Sequence, residues 1–256
     1  LSFVVPLYKT PEKYLRRLTE SFQEQTYSNW ELCFSDGSGA QSPLTELLKE
    51  LTAKDNRIKY VSHEEPLQIS ENTNSAIEIA TGDFIAFADH DDELTPNALF
   101  ECVKAINEKP QTLVIYTDED KMSMDGHKFF QPHFKPDYNP DLLCTVNYIC
   151  HLFVVSRKVI EKVGGLRSEF DGAQDYDFVL RCVEAVKKSV IFQKSCITGV
   201  AMRTPQQRIP RASFMPLKPE DVQYRLTMRE QESTQRFLRV NIWGCTERSL
   251  SEIMIR

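Results

Sequence analysis

The chain has 256 residues, 41% of them hydrophobic and 27% charged, which suits one large α/β domain, or a domain with a short appendage, and excludes a largely disordered chain. A formal net charge of −6 argues against a general nucleic-acid binder, and no apolar run approaches the ~20 residues of a membrane span. Seven cysteines, an odd number without a Cys-x-x-Cys pair, lie mostly in apolar runs (Cys33, Cys102, Cys182), as expected for structural thiols in a reducing compartment.

In chain order, the first 120 or so residues alternate β-branched or aromatic runs with amphipathic helical patterns, the signature of a mainly parallel α/β sheet. Strands are predicted at Ser2 to Leu7, Glu31 to Ser35, Ile58 to Ser62, Phe84 to Ala88 and Leu113 to Tyr116. The dipeptides Thr10-Pro11, Ser42-Pro43 and Thr95-Pro96 read as a capping hydroxyl followed by proline at the first helical position. Behind them lie the apolar faces Leu15/Leu18/Phe22, Leu44/Leu47/Leu48/Leu51 and Leu99/Val103/Ile106. A further helix is predicted from Ser70 to Ala80, ending at Gly82.

From Asp118 to Asn147 the sequence turns rich in Pro, Asp and aromatics, and is predicted to be a loop over a site. A strand at Leu152 to Val155, a helix ending at Gly164-Gly165 and a helix from Asp175 to Ala185 follow. The domain is expected to close near residue 218. Residues 219–256 read as a basic helical appendage with Phe237, Trp243 and Ile253 to Ile255 as apolar positions, serving acceptor binding, self-association or the docking of an additional domain. The opening on a strand without an initiator Met suits a piece of a longer protein. The expected location is cytoplasmic, with peripheral attachment at the inner face of a membrane as a variant of that reading.

Ligands of open α/β sheets bind beyond the carboxyl ends of the strands. There this sequence places acids: Asp36 after the second strand, Asp89, Asp91, Asp92 and Glu93 after the fourth, Asp118, Glu119 and Asp120 after the fifth. One such acid alone is ordinarily a turn or cap residue. So many along one edge repel one another unless a cation or a donor-rich ligand compensates them. Asp89-His90-Asp91-Asp92 offers hard oxygen ligands that suit Mg²⁺ or Mn²⁺ holding a diphosphate. Neither a Gly-x-Gly-x-x-Gly nor a Walker-type loop is present to cradle phosphates.

The ordered motifs resemble family 2 inverting glycosyltransferases of the GT-A fold, in the branch that builds bacterial polysaccharide and glycoprotein glycans. They include Phe3 to Tyr8, Gln25 to Leu32, Asp36-Gly37-Ser38, Asn74 to Gly82, Asp89 to Leu94, Tyr116 to Lys121, His133 to Asp137, Asn139 to Leu142, Asn147 to His151, Gly164 to Leu166 and Gln174 to Asp177. The resemblance covers about residues 1 to 186. It implies a Rossmann-like, mixed, mainly parallel sheet flanked by helices. It also implies a nucleotide-sugar donor, a UDP-sugar carrying glucose or N-acetylglucosamine first, and a hydroxyl on a glycan or glycoprotein acceptor. By the same resemblance Pro6, Tyr8 and Asp36 surround base and ribose, Asn74 and Asp89 lie on the donor side, Asp91 with Asp89 ligates the metal, and Asp175 is the catalytic base of a single inverting displacement. Taken alone, Asp175 reads equally as a capping acid before Phe178, Val179 and Leu180. Asp92, Asp118, Asp120, Asn147 and His151 are expected on the acceptor side, with a core role for the histidine as the competing reading.

Two departures from the family pattern stand out. A Trp-Arg-x-His-like element whose histidine completes the metal site is replaced by Met202-Arg203-Thr204-Pro205, so Arg203, Arg208 or Arg211 is expected to neutralise the diphosphate. The arginine usual before Asn74 is replaced by Thr73. These changes motivate a second reading, a catalytically degenerate sugar-nucleotide-binding module that assists a partner domain. A metal-dependent nucleotidyltransferase is a third, which the lack of a glycine-rich phosphate loop disfavours.

Overall fold

The computed structural model describes residues 1–123, 125, 127–187, 191–194 and 200–203. These all belong to the first of two compact units, Leu1–Pro210. The predicted appendage at 219–256, its boundary at 218, and Arg208 and Arg211 lie outside the described residues.

The elements in chain order are β1 (Ser2–Leu7), α1 (Glu12–Gln23), β2 (Glu31–Asp36), α2 (Thr45–Lys54), β3 (Ile58–Ser62), α3 (Ile69–Ile79), β4 (Phe84–Phe87), β5 (Glu93–Leu94), α4 (Ala98–Glu108), β6 (Val114–Thr117), β7 (Glu119–Met122), β8 (Phe129–His133), α5 (Pro140–Leu143), β9 (Phe153–Ser156), α6 (Arg157–Val163), a 3₁₀ turn (Ser168–Phe170), α7 (Gln174–Glu184), β10 (Ile191–Lys194) and β11 (Val200–Arg203). Seven strands form the main sheet in the order β10-β6-β9-β4-β1-β2-β3. Every pairing is parallel except those of β9, which runs antiparallel to both β4 and β6. The mixed, mainly parallel sheet expected from the sequence is present.

Strands of a sheet covered on both faces must be apolar on both. Phe3, Val5 and Leu7 of β1, with Ala86 from β4 and Val154 from β9, join one cluster with Leu15, Leu18 and Phe22 of α1 and Leu47, Leu48 and Leu51 of α2. On the other face Phe87 and Phe153 meet Phe178 of α7, with ring centroids 5.1 and 6.2 Å from it. Burying each such side chain stabilises the fold by about 1.5–3 kcal/mol. The α4 face runs through Ala98, Leu99, Cys102 and Ala105, rotated from the predicted Leu99/Val103/Ile106 stripe. Cys102 and Ala105 take the buried places in α4, each one position before the larger Val103 and Ile106.

The hydroxyl-proline dipeptides work differently from the capping expected. The helices begin at Glu12, Thr45 and Ala98, after each dipeptide, and none has a side-chain bond from the residue just before it, although the Ser42 hydroxyl accepts the Leu44 amide at 3.1 Å at the entry to α2. Proline instead sits in a turn leading into the helix, with Tyr14 donating its amide to the Pro11 carbonyl at 3.0 Å and Ala98 to that of Thr95 at 3.0 Å.

The stretch predicted as a loop between Asp118 and Asn147 contains β7, β8 and α5. β7 and β8 enter a second, four-stranded sheet ordered β5-β11-β7-β8. Period-2 patterning was masked because buried acids, Asp118 and Glu119, take core places that apolar residues normally fill. At the opposite end of the main sheet, Glu31 accepts bonds from Ser2 (2.5 Å), Lys59 (2.5 Å) and the Thr81 and Gly82 amides, which pins β1 and β2 to the end of α3. Among the described residues, no helix is long and apolar enough to cross a membrane.

Candidate active site

Because β1, β2, β4 and β6 run the same way, their carboxyl ends share one edge, and the antiparallel β9 begins at that edge. The edge therefore collects Tyr8 after β1, Asp36 closing β2, Asp89–Asp92 after β4, Asp118 after β6, and the 147–151 segment that feeds β9. Carboxyl ends alone would have missed that last contribution.

Asp36 is buried and shapes its own loop: its carboxylate accepts the Ser38 amide at 3.1 Å and the Ser42 hydroxyl. The Lys9 amide donates to Ser38 Oγ at 2.8 Å and the Gly37 amide to the Leu7 carbonyl at 3.0 Å, tying the loops after β1 and β2 together. Pro6 is half-buried, and Tyr8 stands exposed on this loop pair with Lys9 Nζ 5.2 Å from its ring. Beneath them Asn72 donates to the Leu7 carbonyl at 2.9 Å, while its buried Oδ1 has no partner among the described residues. Asn74, expected on the donor side, is committed elsewhere: its amide donates to the Leu166 carbonyl at 2.9 Å and accepts the Leu166 amide at 2.8 Å. It braces α3 against the loop that leads to α7.

After β4 the chain makes a tight turn in which the Asp92 amide donates to the Asp89 carbonyl at 3.2 Å and the Asp89 amide to Asp92 Oδ2 at 2.8 Å. The turn folds Asp92 inward, fully buried, and leaves Asp91 at its outer corner, half-buried. His151 reaches in from the start of β9, its Nε2 3.6 Å from Asp89 and its Nδ1 3.8 Å from Asp92. One ligand atom from each of Asp89, Asp92 and His151 can be chosen so that all lie within 4.8 Å of one another. The sequence paired Asp89 with Asp91 as the metal ligands and put Asp92 and His151 on the acceptor side. The turn, invisible to residue spacing, places Asp92 and His151 next to Asp89 and leaves Asp91 at its corner.

Burial pushes the Asp92 carboxyl up to about 8, with Asp89 and Asp91 adding to the effect and His151 opposing it. Burial also works against charge on His151, yet Cys150, Asp92 and Asp89 outweigh it and hold the imidazole well above its ordinary value. His151 Nδ1 is buried and has no hydrogen-bond partner among the described residues, and two carboxylates with one imidazole form a donor set that fits Mn²⁺ or Mg²⁺.

Asp175 lies exposed in the first turn of α7, where Asn147 Nδ2 donates to its Oδ2 at 3.0 Å. Two residues on, the buried Asp177 is held by Arg167 (3.0 and 2.5 Å) and Arg181 (2.9 Å), which fixes the helix that carries Asp175. Ser70 adds a 2.5 Å bond to Asp171, from α3 to the turn before α7. Asp118, buried between β6 and β7, accepts the amide of the buried Lys135 at 2.7 Å, whereas Asp120 is half-buried with its carboxyl raised by burial. Arg203 ends β11 opposite Met122.

Sequence reasoning missed Lys135 and named Glu119 only as one of the acids after the fifth strand, without a role at the site. Lys135 is buried, and its ammonium donates to Glu119 at 3.0 Å, to the Ile149 carbonyl at 2.6 Å and to the His151 carbonyl. The available signal was a lysine and a glutamate inside motif blocks, a pattern that reads as surface charge until the second sheet buries it.

Residues 2–164 match the family model described as glycosyl transferase family 2. The chain belongs to that family. It is 44% identical over 187 residues to an uncharacterized protein, y4gI, of Sinorhizobium fredii, and 37% identical over 185 residues to the O-antigen biosynthesis protein RfbC of Myxococcus xanthus. Those alignments take in 73% and 72% of this chain but 20% and 14% of the relatives, so the chain spans a fifth or less of their length. Among solved structures, S. aureus TarS 1–349 in complex with UDP-GlcNAc superposes with a TM-score of 0.64 at 20% identity, over 86% of this chain and 62% of that one. The Pyrobaculum calidifontis mannosyltransferase PcManGT, in complex with GDP-Man and Mn²⁺, does so with a TM-score of 0.54 at 16% identity, over 75% and 56%. At these identities the likeness shows a shared fold, the GT-A type that the sequence motifs implied.

Proposed function

We propose that this glycosyltransferase domain moves a hexose, glucose or N-acetylglucosamine, from a UDP-sugar to a hydroxyl of a glycan on protein or lipid, with inversion and with the help of a divalent cation. The observation that carries the reading is the meeting of Asp89, Asp92 and His151, with the segment that supplies His151 also supplying Asn147 to the exposed carboxylate of Asp175. The fold neighbour holding UDP-GlcNAc supports a uridine donor, and the one holding GDP-Man and Mn²⁺ supports the cation.

Pro6, Tyr8 and Asp36 would border base and ribose, the exposed Tyr8 ring offering a stacking face. Asp89, Asp92 and His151 would hold Mn²⁺ or Mg²⁺, with Asp91 at the corner of the same turn facing the donor. The ion would neutralise charge on the departing diphosphate, a task in which Arg203 would assist from β11. Asp175 would take the proton of the acceptor hydroxyl as that oxygen attacks the anomeric carbon. Asn147 keeps one carboxylate oxygen oriented and leaves the other for the acceptor. Asp118 and Asp120, at the end of β6 and in β7, would bound the acceptor side, and residues 219–256 would bind the acceptor or a further protein copy. A cytoplasmic location at the inner membrane face fits such a donor.

The test is a thermal-shift screen across UDP-, GDP- and dTDP-sugars with and without Mn²⁺, followed by assay of free sugar released from the best binder. Stabilisation by UDP-sugars that needs Mn²⁺, with sugar release, is the expected result. Metal-dependent binding without release would favour the assisting-module reading, and binding indifferent to chelator would remove the cation from the mechanism.

A further inference from the structure

We infer that Lys135 is a positioning residue for the cation cluster: with Glu119 it clamps the His151 peptide and so sets where the imidazole stands relative to Asp89 and Asp92. The inference rests on the cation reading above and adds to it a residue that touches neither donor nor cation.

The 147–151 segment is irregular, yet it supplies Asn147 to Asp175 and His151 to the cluster. A segment without a ladder of its own needs other partners for its peptide groups. Glu119 Oε2 accepts the His151 amide at 3.2 Å, and Lys135 Nζ donates to the carbonyls of both Ile149 and His151. The peptide carrying the imidazole is therefore gripped on its N–H and on its C=O by the two ends of one ion pair. Lys135 is itself held on the main-chain side. Its amide donates to Asp118 at 2.7 Å, and the carbonyl of its neighbour Pro136 accepts the Tyr116 hydroxyl at 2.7 Å. The clamp thus runs from β6 and β7 through Lys135 to the start of β9.

An ammonium buried to this depth is costly, and burial does lower the Lys135 pKa, with Glu119 offsetting the effect. A buried pair aimed at one short segment is what positioning requires, because two rigid attachments fix a side chain's root where apolar packing would leave it free to slide.

The experiment measures Mn²⁺ affinity of the full chain without nucleotide, by electron paramagnetic resonance of free Mn²⁺. Wild type is compared with His151→Ala, Lys135→Met, and Lys135→Met combined with Glu119→Gln, the last removing the charge of the buried acid that the lysine no longer offsets, which keeps His133 at 3.1 Å and the His151 amide as partners. Groups that orient a metal ligand typically change affinity about 10–100-fold, and that loss is expected in a Lys135 variant that keeps its circular dichroism. A folded Lys135 variant that binds within about twofold of wild type overturns the inference, because the typical effect is far larger. Failure of both Lys135 variants to fold also counts against it, since the lysine would then serve folding alone. If wild type and His151→Ala bind alike, the cation reading itself falls and takes this inference with it, a result recognisable without any Lys135 variant.

Discussion

Asp175→Asn separates the chemistry from the scaffold. The side chain is exposed and accepts a hydrogen bond from Asn147 Nδ2 at 3.0 Å, which an asparagine oxygen at the same place retains. Structural damage is then limited to the acid's favourable interaction with the α7 N-terminus, about 0.3–1 kcal/mol. For a domain of this size each kcal/mol moves the melting temperature by about 2–4 °C, so the variant should melt within a few degrees of wild type. Loss of a general base costs about 10²–10⁴ in rate, or about 3–5 kcal/mol of barrier. The assay is release of free sugar from the UDP-sugar that best stabilises the wild type, with thermal shift by the same donor as a check on binding. Sugar release should fall at least a hundredfold, the lower end of that about 10²–10⁴ range, with donor stabilisation unchanged. A folded variant that releases sugar within about threefold of wild type would remove Asp175 from the base role, because no general base is worth so little.

Other consequences follow from the same geometry. Asp177→Ala leaves Arg167 and Arg181 without their shared buried partner and should lower unfolding free energy by about 3–5 kcal/mol in a urea titration. Burial alone would raise the Asp177 carboxyl, but the two arginines overcome it and hold it below its ordinary value. Its stabilising contribution is therefore complete above about pH 4 and is lost as pH falls toward the depressed value, so the variant's stability should vary less with pH on the acid side. Glu31 follows the same sign: burial opposes ionisation, yet bonds from Lys59, Ser2 and Thr81 bring its carboxyl down to about 2. Glu31→Gln should flatten the acid limb of a melting-temperature profile between about pH 4.3 and that lower value. Gly165→Ala would place a methyl 2.3 Å from Asn74 Oδ1, which is already fixed by Leu166, and should cost about 1–3 kcal/mol by differential scanning calorimetry. Gly164→Ala meets no neighbour but must adopt φ 80°, so its cost is backbone strain alone.

Most of the sheet was legible because its signals are local. β1, β2, β3 and β9 fall within a residue or two of their predicted bounds, and α3, α6 and α7 do likewise, since a buried parallel strand writes an apolar run and a helix a 3.6-residue stripe. The carboxylate-rich edge was also readable, because strand order does not change which end of a strand an acid follows. What the sequence obscured is where charge enters the interior. Asp118, Glu119 and Lys135 made the second sheet resemble a polar loop, and only their mutual bonds explain why they are buried.

By itself, then, the amino-acid sequence determined the family, the α/β class, the strand-end acids and the placing of Asp175 at a helix start. Tertiary structure alone decided which acids meet. The reversed direction of β9 delivers His151 to the same rim as Asp89, and the turn at 89–92 turns Asp92 inward in place of Asp91. Both outcomes depend on backbone direction and turn geometry between residues far apart in the chain, and pattern along a sequence carries no record of either.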